Sequence, residues 1–578
     1  MVVDSRKFLA KSEEKTMGVD SRKSSTKSDE IRKKGNNLFR LNNRDDDRMV
    51  LSLYTESIAY APLGSEELAQ AYSNRSALWL YLHKYDLSLL DIERALKITK
   101  SSNLVSKLSA RKEKCLNNVV PSEVKESQSP PQLPNISTSE HVHFKTDSVV
   151  MNWSKTYGRH FIASRDIEPG EIIMCEKSPY ASVDVDQMYL VCAHCLAFAW
   201  SGIPCDTCVL TIYCSEECKK EAWSEYHDIM CALFSNDCFS ERLLQYKYMH
   251  EKLNPDYNSL ASSVFMILVR MIIIMIKREG LDTIMKAASE IDNINDDSSP
   301  RLPLETMNCS DFEFVYNLTS TREQLHEGVL DLIPLLMVAF KNLSNIGCEN
   351  SLNEMIPQME SVADNLYKIC ESNSFQFSVH DCLCKDSDGN FCISTRGGFF
   401  SPCGSFFNHS CDNNVNRIFV PGPRVMFFAN RSIKQGEQLF INYGYSSSIA
   451  KNLRQRMLAR SYSFTCQCTA CIEDWPVRLS DGVTPGAKLM DSKLVEMLGE
   501  YATNFFKERM VYNEILYDAS IEMLKFIYEN SRGKEASDHA YYYERYLTLH
   551  LSQLYGENID LQHTRSVRMM LEQHSRLY

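Results

Sequence analysis

The pattern of apolar and polar positions divides the chain into long helical segments and a later region of short strands. From residue 30 to residue 117, apolar and small residues recur with helical spacing in successive pairs of segments. Alternating apolar positions in 424–428 and 438–441 predict short strands. The most apolar run, Val264 to Ile276, contains Arg270 and is shorter than the about 20 apolar residues of a membrane span, so it predicts a buried helix. Together these patterns predict an α+β fold.

Two segments lack any such pattern. The first 28 residues are polar and charged and contain the string VDSRK twice, which predicts a disordered tail. Residues 118–140 are rich in proline and serine, which predicts a linker. Neither the start of the chain nor its apolar runs resemble a signal peptide or a membrane anchor, so we expect a soluble intracellular protein.

Composition and charge narrow the class of protein. With 44% hydrophobic residues the chain can bury several cores, and its 578 residues favour about three to five domains. Acidic residues outnumber basic ones by 75 to 63, which gives a net charge of −12. A protein that coats nucleic acid needs a basic surplus, so this balance argues against non-specific nucleic-acid binding.

The 21 cysteines carry the strongest chemical signal. Because the cytosol and nucleus keep thiols reduced, cysteines at ligand spacing indicate metal binding rather than a disulfide framework. Eight potential ligands form four close pairs: Cys192, Cys195, Cys205, Cys208, Cys214, Cys218, His227 and Cys231. Since Zn²⁺ takes four thiolate or imidazole ligands, they predict two closed, structural zinc sites. Spacing alone leaves open whether the pairs bind sequentially or interleaved.

A second cluster, formed by Cys466, Cys468 and Cys471, offers three thiolates and leaves a tetrahedral zinc ion one ligand short. The leading candidate for the fourth ligand is Cys411, in the string NHSC at 408–411. Taken alone, this string is a weak signal, because a histidine beside an asparagine more often belongs to a packed turn. We predict a third structural zinc ion that joins these two parts of the chain.

Three strings follow one another: NHSC at 408–411, GEQLFINYGY at 436–445 and FTCQCTAC at 464–471. In combination they resemble a SET domain with its cysteine-rich post-SET segment, and residues 157–171 resemble the opening of that domain. The first cysteine cluster resembles a MYND zinc finger. A MYND finger inserted into a SET domain is the arrangement of the SET- and MYND-domain (SMYD) protein-lysine methyltransferases. The helical pairs at 30–117 resemble tetratricopeptide repeats, with an unrelated helical hairpin as the alternative.

The resemblance implies a β-rich SET domain split by a zinc finger and a helical insert and flanked by helical domains. The expected boundaries are 1–28 for the tail, 30–117 for the repeats, 118–140 for the linker, 141–190 for the first SET part, 192–231 for the MYND finger, 235–365 for the helical insert, 366–445 for the SET core, 446–475 for the post-SET segment and 480–578 for a C-terminal helical domain. The C-terminal helices either wall off the substrate cleft or form a stabilising bundle.

The resemblance also implies chemistry: methyl transfer from S-adenosyl-L-methionine to lysine side chains of histones or other proteins. It assigns cofactor binding to Tyr157, Gly158, Arg159, Asn373, Asn408, His409, Tyr443 and Phe464. It assigns the orientation of the lysine amine to Tyr443 and the channel wall to Tyr445. In MYND fingers the zinc sites interleave, which groups Cys192, Cys195, Cys214 and Cys218 on one ion and Cys205, Cys208, His227 and Cys231 on the other. All three zinc ions would be structural.

Two departures from the family pattern bear on activity. Asn413 stands where the family commonly has proline, which predicts a loss of rigidity rather than of a chemical group. His160 stands where a small residue is usual, and its imidazole would narrow the cofactor entrance. The competing hypothesis is an adaptor whose SET fold is inert, and a third is a transcriptional corepressor that methylates histones.

Partners follow from the same resemblance. MYND fingers dock proline-rich peptides and are not sequence-specific DNA readers, and relatives occur in cytoplasm and nucleus. Donors that suit a carboxylate lie in the repeats at the positions of a clamp for acidic chaperone tails: Arg32, Asn36, Asn74, Lys107 and Arg111. The alternative interpretation of these five residues is an ordinary solvated helix surface.

Overall fold

The computed structural model describes the chain in segments. These are residues 23–41, 47–118, 147–235, 239, 260–293, 310–318, 333, 336, 352–385, 391–420, 422–447, 449–477, 514–531 and 533–555. The predicted tail up to residue 22 and the predicted linker from residue 119 onward lie outside the described residues.

The described part combines helices and strands. The helices are α1 (Ser25–Leu41), α2 (Asp47–Tyr60), α3 (Glu66–Tyr81), α4 (Tyr85–Ile98), α5 (Ser102–Asn118), α6 (Glu216–Ala222), α7 (Asp228–Phe234), α8 (Leu260–Glu279), α9 (Leu281–Asp292), α10 (Phe312–Tyr316), α11 (Leu352–Asn373), α12 (Lys451–Tyr462), α13 (Thr469–Ile472), α14 (Glu514–Asn530) and α15 (Gly533–Tyr555). The strands are β1 (Val149–Ser154), β2 (Gly158–Ala163), β3 (Ile172–Lys177), β4 (Tyr180–Val183), β5 (Ile203–Pro204), β6 (Ile212–Tyr213), β7 (Ser374–Lys385), β8 (Phe391–Phe400), β9 (Asn408–His409), β10 (Val415–Val420), β11 (Arg424–Ala429) and β12 (Phe440–Ile441).

The first five helices pack consecutively on one another. Gly35 lies where α1 meets α2, and a Cβ at this position would come within 2.8 Å of the Tyr54 ring, so the absence of a side chain permits the close packing. Helix α1 begins at Ser25, which makes the predicted end of the tail at residue 28 too late. The reason is packing: the Ser28 side chain is buried and its hydroxyl donates to the Ser57 carbonyl oxygen at 2.8 Å.

Short sheets surround the predicted SET core. Antiparallel strands have the orders β10-β11-β3 and β4-β8-β7, while β1 pairs with β2. The predicted strands at 424–428 and 438–441 correspond to β11 and β12. Strand β12 runs parallel to β9, and the backbone N–H of Ser410 donates to the Ile441 carbonyl oxygen at 3.0 Å. This pairing brings the NHSC string against the segment that ends at Tyr443.

The apolar run forms the buried helix α8, as its sequence predicted. Arg270 is 4% exposed, lies 3.7 Å from the centre of the Tyr226 ring and donates to the Ala181 carbonyl oxygen. None of the helices within the described ranges is both long and apolar enough to cross a bilayer. Helix α11 continues to Asn373, through the predicted boundary between insert and SET core at 365/366, because Leu366 and Cys370 continue its buried stripe.

The two faces of β10 meet different surroundings. Ile418 and Val420 join a cluster with residues of α14 and α15, so these helices cover one face of the β10-β11 pair. Val415 and Phe419 point the other way, into the main core. The described C-terminal helices therefore pack on the face of β10 opposite to Val415.

The N-terminal array is fixed to the zinc-binding segment by buried polar contacts. Arg75 and Asp91 are fully buried and bonded at 2.7 and 2.9 Å. Arg75 also donates to the Thr55 hydroxyl at 3.1 Å and to the Gly202 carbonyl oxygen at 2.9 Å. Lys23 lies two residues before α1, and its ammonium group donates to the Cys205 carbonyl oxygen at 2.7 Å. Helices and zinc segment thus share one set of buried contacts.

Candidate active site and metal centres

The structure gathers the predicted zinc ligands into three groups of four, each with all ligand atoms within 4.8 Å of one another. The groups are Cys192, Cys195, Cys214 and Cys218; Cys205, Cys208, His227 and Cys231; and Cys411, Cys466, Cys468 and Cys471. The first two interleave along the chain, as the MYND resemblance implies. The third joins Cys411 to the post-SET cysteines across 55 residues of sequence.

The separations within these groups fit zinc. Tetrahedral coordination with Zn–S bonds of about 2.3 Å requires sulfur atoms about 3.8 Å apart. Cys195 and Cys214 are 3.5 Å apart in the first group, and Cys205 and Cys231 are 3.8 Å apart in the second. In the third group Cys411 lies 3.7 Å from Cys471. Because each group offers four soft or borderline ligands, the sites suit structural zinc.

His409 links the third metal group to the candidate catalytic tyrosine. Its Nδ1 accepts the backbone N–H of Tyr443 at 3.1 Å, and its Nε2 lies 3.4 Å from the sulfur of Cys411. Burial lowers the pKa of His409 to about 4, so the ring is neutral near pH 7. An accepting Nδ1 requires the hydrogen to be on Nε2, where it faces the Cys411 sulfur.

The hydroxyl of Tyr443 is held by the chain just before the NHSC string. It donates to the Phe407 carbonyl oxygen at 2.8 Å, and burial raises the pKa of Tyr443 above its ordinary value. The Tyr443 ring lies 4.7 Å from the ring of Tyr462 and 5.3 Å from the ring of His409. Phe464 lies on the other side of His409, with ring centres 6.1 Å apart. Four aromatic side chains therefore surround one small region.

The opening of the SET domain meets this region through the NHSC string. The amide of Asn408 donates to the Tyr157 carbonyl oxygen at 3.1 Å. Gly158, with φ +61°, adopts a left-handed turn that favours glycine, and the Tyr157 ring is 49% exposed. The side chain of Arg159 points elsewhere: it donates to the carbonyl oxygen of Asn317, in the helical insert.

Two predicted residues lie at the edge of the region. Asn373 ends α11, where its amide donates to the Ile369 carbonyl oxygen and its own carbonyl accepts the Ser401 N–H at 3.4 Å. It is therefore tied to the loop that precedes the NHSC string. Tyr445 packs against the cluster that contains the third metal group.

The two departures from the family pattern have local explanations. His160 is 4% exposed, its Nδ1 lies 2.9 Å from the Gly158 carbonyl oxygen, and its ring lies 5.8 Å from the Tyr157 ring. The imidazole thus supports the turn at which Tyr157 stands. The amide of Asn413 donates to the Val415 carbonyl oxygen at 2.8 Å, so a hydrogen bond stiffens the turn in place of a proline ring.

Sequence analysis missed Tyr462. Its ring contacts Tyr443, yet it lies between the NHSC region and the post-SET cysteines, where no metal ligand draws attention to it. The available signal was its spacing: Tyr462 and Phe464 form an aromatic pair directly before Cys466.

Comparison with known proteins agrees with this geometry. The SET domain family model matches residues 158–444, which contain β2 to β12, the NHSC string and Tyr443. A protein-lysine N-methyltransferase SMYD4 from Danio rerio is 29% identical over 36% of this chain and 30% of its own length. SMYD4 from Pongo abelii is 22% identical over 76% of this chain and 66% of its own length. The chain thus contains a segment that matches the SET domain family and is similar in sequence to SMYD proteins.

Other matches are more distant. The SET domain and MYND-type zinc finger protein 6 of Schizosaccharomyces pombe is 23% identical over 58% of this chain and 54% of its own length. Among solved structures, the SET domain of LSMT bound to lysine and AdoHcy is 12% identical, with a TM-score of 0.22 over 75% of this chain and 91% of that chain. The chain spans about a third to two thirds of the length of these curated SMYD relatives.

The five residues predicted to form a carboxylate clamp in the N-terminal repeats are brought only partly together. Asn36 Oδ1 accepts from the Asn74 amide at 2.7 Å and from the Tyr54 hydroxyl at 3.0 Å. Arg111 donates to the Ser76 hydroxyl at 2.6 Å, and Arg32 pairs with Asp29 of its own helix. Lys107 is exposed on α5. Two amides therefore meet, while both arginines have intramolecular partners.

Proposed function

We propose that this chain is a protein-lysine N-methyltransferase that uses S-adenosyl-L-methionine. The observation that carries the proposal is the contact of β9 with β12, which sets Asn408, His409 and Tyr443 beside the opening of the SET domain. The SET domain match over 158–444 and the names of the SMYD4 relatives, which are protein-lysine N-methyltransferases, support the same reaction. Substrates could be histones or other proteins with an exposed lysine.

The residues present fit the cofactor. When bound, S-adenosyl-L-methionine supplies a methyl group on a positively charged sulfur. The backbone at Tyr157 and Gly158 and the side chain of Asn408 would hold its amino-acid end, with Arg159 contributing its backbone and Asn373 assisting. Phe464 offers an aromatic face for the adenine ring. The third zinc ion would hold the segment that carries Phe464 against His409.

The lysine amine must be neutral to attack carbon, although a free lysine has a pKa of about 10.4. The rings of Tyr443 and Tyr462 exclude water, and desolvation lowers an amine pKa. The Tyr443 hydroxyl donates its hydrogen to the Phe407 carbonyl oxygen. Its oxygen can therefore accept an N–H from the amine and orient the nitrogen. Tyr445 would shape the channel wall. Positioning of this kind provides much of the rate in such a transfer.

The test is tritium transfer from labelled S-adenosyl-L-methionine to proteins of a cell extract. Wild type, Tyr443→Phe and a control, Tyr85→Phe in the N-terminal array, are compared. We expect labelled bands with wild type and the control, and a loss of at least about a hundredfold with Tyr443→Phe. Label that persists in Tyr443→Phe would refute its role. The adaptor hypothesis instead expects no label from any variant and no binding of S-adenosyl-L-homocysteine by calorimetry.

A second proposal concerns partners: the N-terminal array binds an acidic C-terminal tail, such as that of a heat-shock chaperone. Two observations favour it. The side chains of Asn36 and Asn74 are in contact, and the Tyr54 hydroxyl lies in the positive field of Arg32, Arg40 and Arg111, which would attract an acidic tail. The test compares a chaperone tail peptide that has a free C-terminal carboxylate with its amidated form. Tighter binding of the free acid, lost in Lys107→Ala, is expected, and equal binding of the two peptides would contradict the proposal.

Further partner assignments complete the proposal. The zinc finger would bind proline-rich peptides, for which Trp223, 48% exposed, offers an aromatic surface. We expect neither membrane insertion nor sequence-specific DNA binding, and residence in both cytoplasm and nucleus. Fluorescence microscopy of the tagged full chain, and calorimetric titration of wild type and Trp223→Ala with a polyproline peptide, test these expectations.

A further inference from the structure

Arg417 is a charged residue on the inner face of β10. Its neighbours on that face, Val415 and Phe419, belong to the main core or pack against it. The guanidinium carbon lies 4.9 Å from the centre of the Phe375 ring. A strand face that is otherwise apolar thus brings a permanent positive charge into the interior of the SET core.

The position of this charge is beside the candidate active site. One nitrogen, Nη1, donates to the carbonyl oxygen of Asn442 at 3.0 Å, directly before Tyr443. The hydroxyl groups of Tyr443 and Tyr462 are the titratable groups that act electrostatically on Arg417, while burial lowers its pKa. The guanidinium therefore lies near the two tyrosines beside which the lysine is expected.

The remaining donors of Arg417 have no partner. Within the described ranges, neither Nε nor Nη2 makes a hydrogen bond and no carboxylate pairs with the guanidinium, although solvent reaches both nitrogens. Next to it, the amide nitrogen of Asn442 is buried and likewise without a partner in that part of the chain. An edge of the guanidinium that only solvent reaches, next to a buried amide without a partner, leaves room for an anionic ligand.

We propose that Arg417 binds a carboxylate in the methyl-transfer site. The inference rests on the proposed methyltransferase function and extends it to substrate choice. The two free nitrogens, Nε and Nη2, form one edge of the planar guanidinium, which matches the two oxygens of a carboxylate. A phosphate or a lone carbonyl oxygen fits that edge less well in an aromatic setting with a single cation.

Two molecules can supply the carboxylate: an acidic side chain near the target lysine, or the amino-acid end of the cofactor. The contacts of Arg417 favour the substrate, because they lead to Asn442, Phe375 and the two tyrosines rather than to Tyr157 or Asn408. An acidic neighbour in the substrate would also offset the repulsion between Arg417 and a protonated lysine on entry.

The experiment measures binding, without turnover, to the full chain. A synthetic peptide library with one fixed lysine and randomised neighbours is passed over immobilised protein in the presence of S-adenosyl-L-homocysteine, and the retained peptides are sequenced. Arg417→Gln removes the charge and Arg417→Glu reverses it. The matched control is Arg456→Glu, the same charge change on the exposed surface of α12. Zinc content and the thermal unfolding midpoint verify that each variant is folded.

We expect wild type and Arg456→Glu to enrich Asp and Glu near the lysine by about tenfold, the effect of one charge-assisted pair. Arg417→Gln should lose this enrichment, and Arg417→Glu should enrich Lys and Arg instead. If Arg417→Glu does not fold, Arg417→Gln alone decides. The carboxylate instead belongs to the cofactor if two results are found together. The library shows no acidic preference, and Arg417→Gln lowers the affinity for S-adenosyl-L-homocysteine about tenfold without changing that for 5′-methylthioadenosine, which has no carboxylate.

The proposal is overturned if the Arg417 variants match Arg456→Glu in both measurements. Because neither readout depends on methyl transfer, a wild-type chain that transfers no methyl group would refute the proposed function separately. A purely structural role for Arg417 would change the unfolding midpoint and leave the sign of the charge preference as it is.

Discussion

The ion pair between Arg75 and Asp91 allows a quantitative test of how the N-terminal array is held. Both side chains are fully buried, and the carboxylate receives two bonds from Arg75, at 2.7 and 2.9 Å, and a third from Arg94 at 3.1 Å. Asp91→Ala removes the anion and leaves one guanidinium buried without a counter-charge. Breaking such a pair costs about 3–5 kcal/mol, whereas replacing both partners by apolar residues costs much less. We therefore expect Arg75→Met/Asp91→Leu to be more stable than Asp91→Ala.

The assay is native-state hydrogen exchange followed by mass spectrometry on peptides from α3 and α4. A local destabilisation of about 3–5 kcal/mol lowers protection of these helices by about two to three and a half orders of magnitude. The control is Glu93→Ala, on the same helix as Asp91, which removes an exposed ion pair with Lys112 of α5 and should leave protection unchanged. The reasoning fails if Asp91→Ala behaves like Glu93→Ala, or if the double variant loses as much protection as the single one.

Three further predictions concern metal and site. Metal analysis of the purified chain should give three zinc ions, and Cys411→Ser should lower the content to two. The same variant should bind S-adenosyl-L-homocysteine at least about tenfold more weakly by calorimetry. Retention of three ions would contradict the assignment of Cys411 as a ligand. Tyr462→Phe changes the polarity next to Tyr443, so it should alter the rate of tritium transfer while cofactor affinity stays within about twofold. Loss of cofactor binding in this variant would contradict a role of Tyr462 in the transfer step alone. Glu176→Ala should lower the unfolding midpoint, because the buried carboxylate accepts the Cys403 N–H at 3.0 Å and the Gly404 N–H at 3.2 Å, and a buried donor that loses its acceptor costs about 1–3 kcal/mol; an unchanged midpoint would refute this.

Much of the fold could be predicted because its signals are local. Helical spacing marks the N-terminal array and the buried helix α8, and alternation marks β11 and β12. Boundaries were less certain where packing overrides composition. Ser25 to Ser28 look like part of a polar tail, yet Ser28 is buried against Ser57 of the next helix. No property of the four residues themselves reveals that contact.

The metal ligands were the most predictable part of the site, because cysteine is a typical zinc ligand and most of the ligands lie only a few residues apart in the sequence. The pairing of Cys411 with the post-SET cysteines required only that a three-ligand site needs a fourth. Arg417 was beyond sequence reasoning for the opposite reason. A cation on a strand is usually solvated, and only the fold brings this one beside Tyr443.

The contact between Arg75 and Gly202 has a consequence for synthesis on the ribosome. The helices that contain Arg75 and Asp91 leave the ribosome before the zinc-binding segment does. However, the buried guanidinium of Arg75 donates to the carbonyl oxygen of Gly202, and the ammonium group of Lys23 donates to that of Cys205. The array therefore reaches its final stability only after more than 200 residues have been translated, when the neighbouring cysteines can take up metal. Because structural zinc contributes folding energy to the segment that carries Gly202 and Cys205, metal uptake there completes the surface on which the array packs.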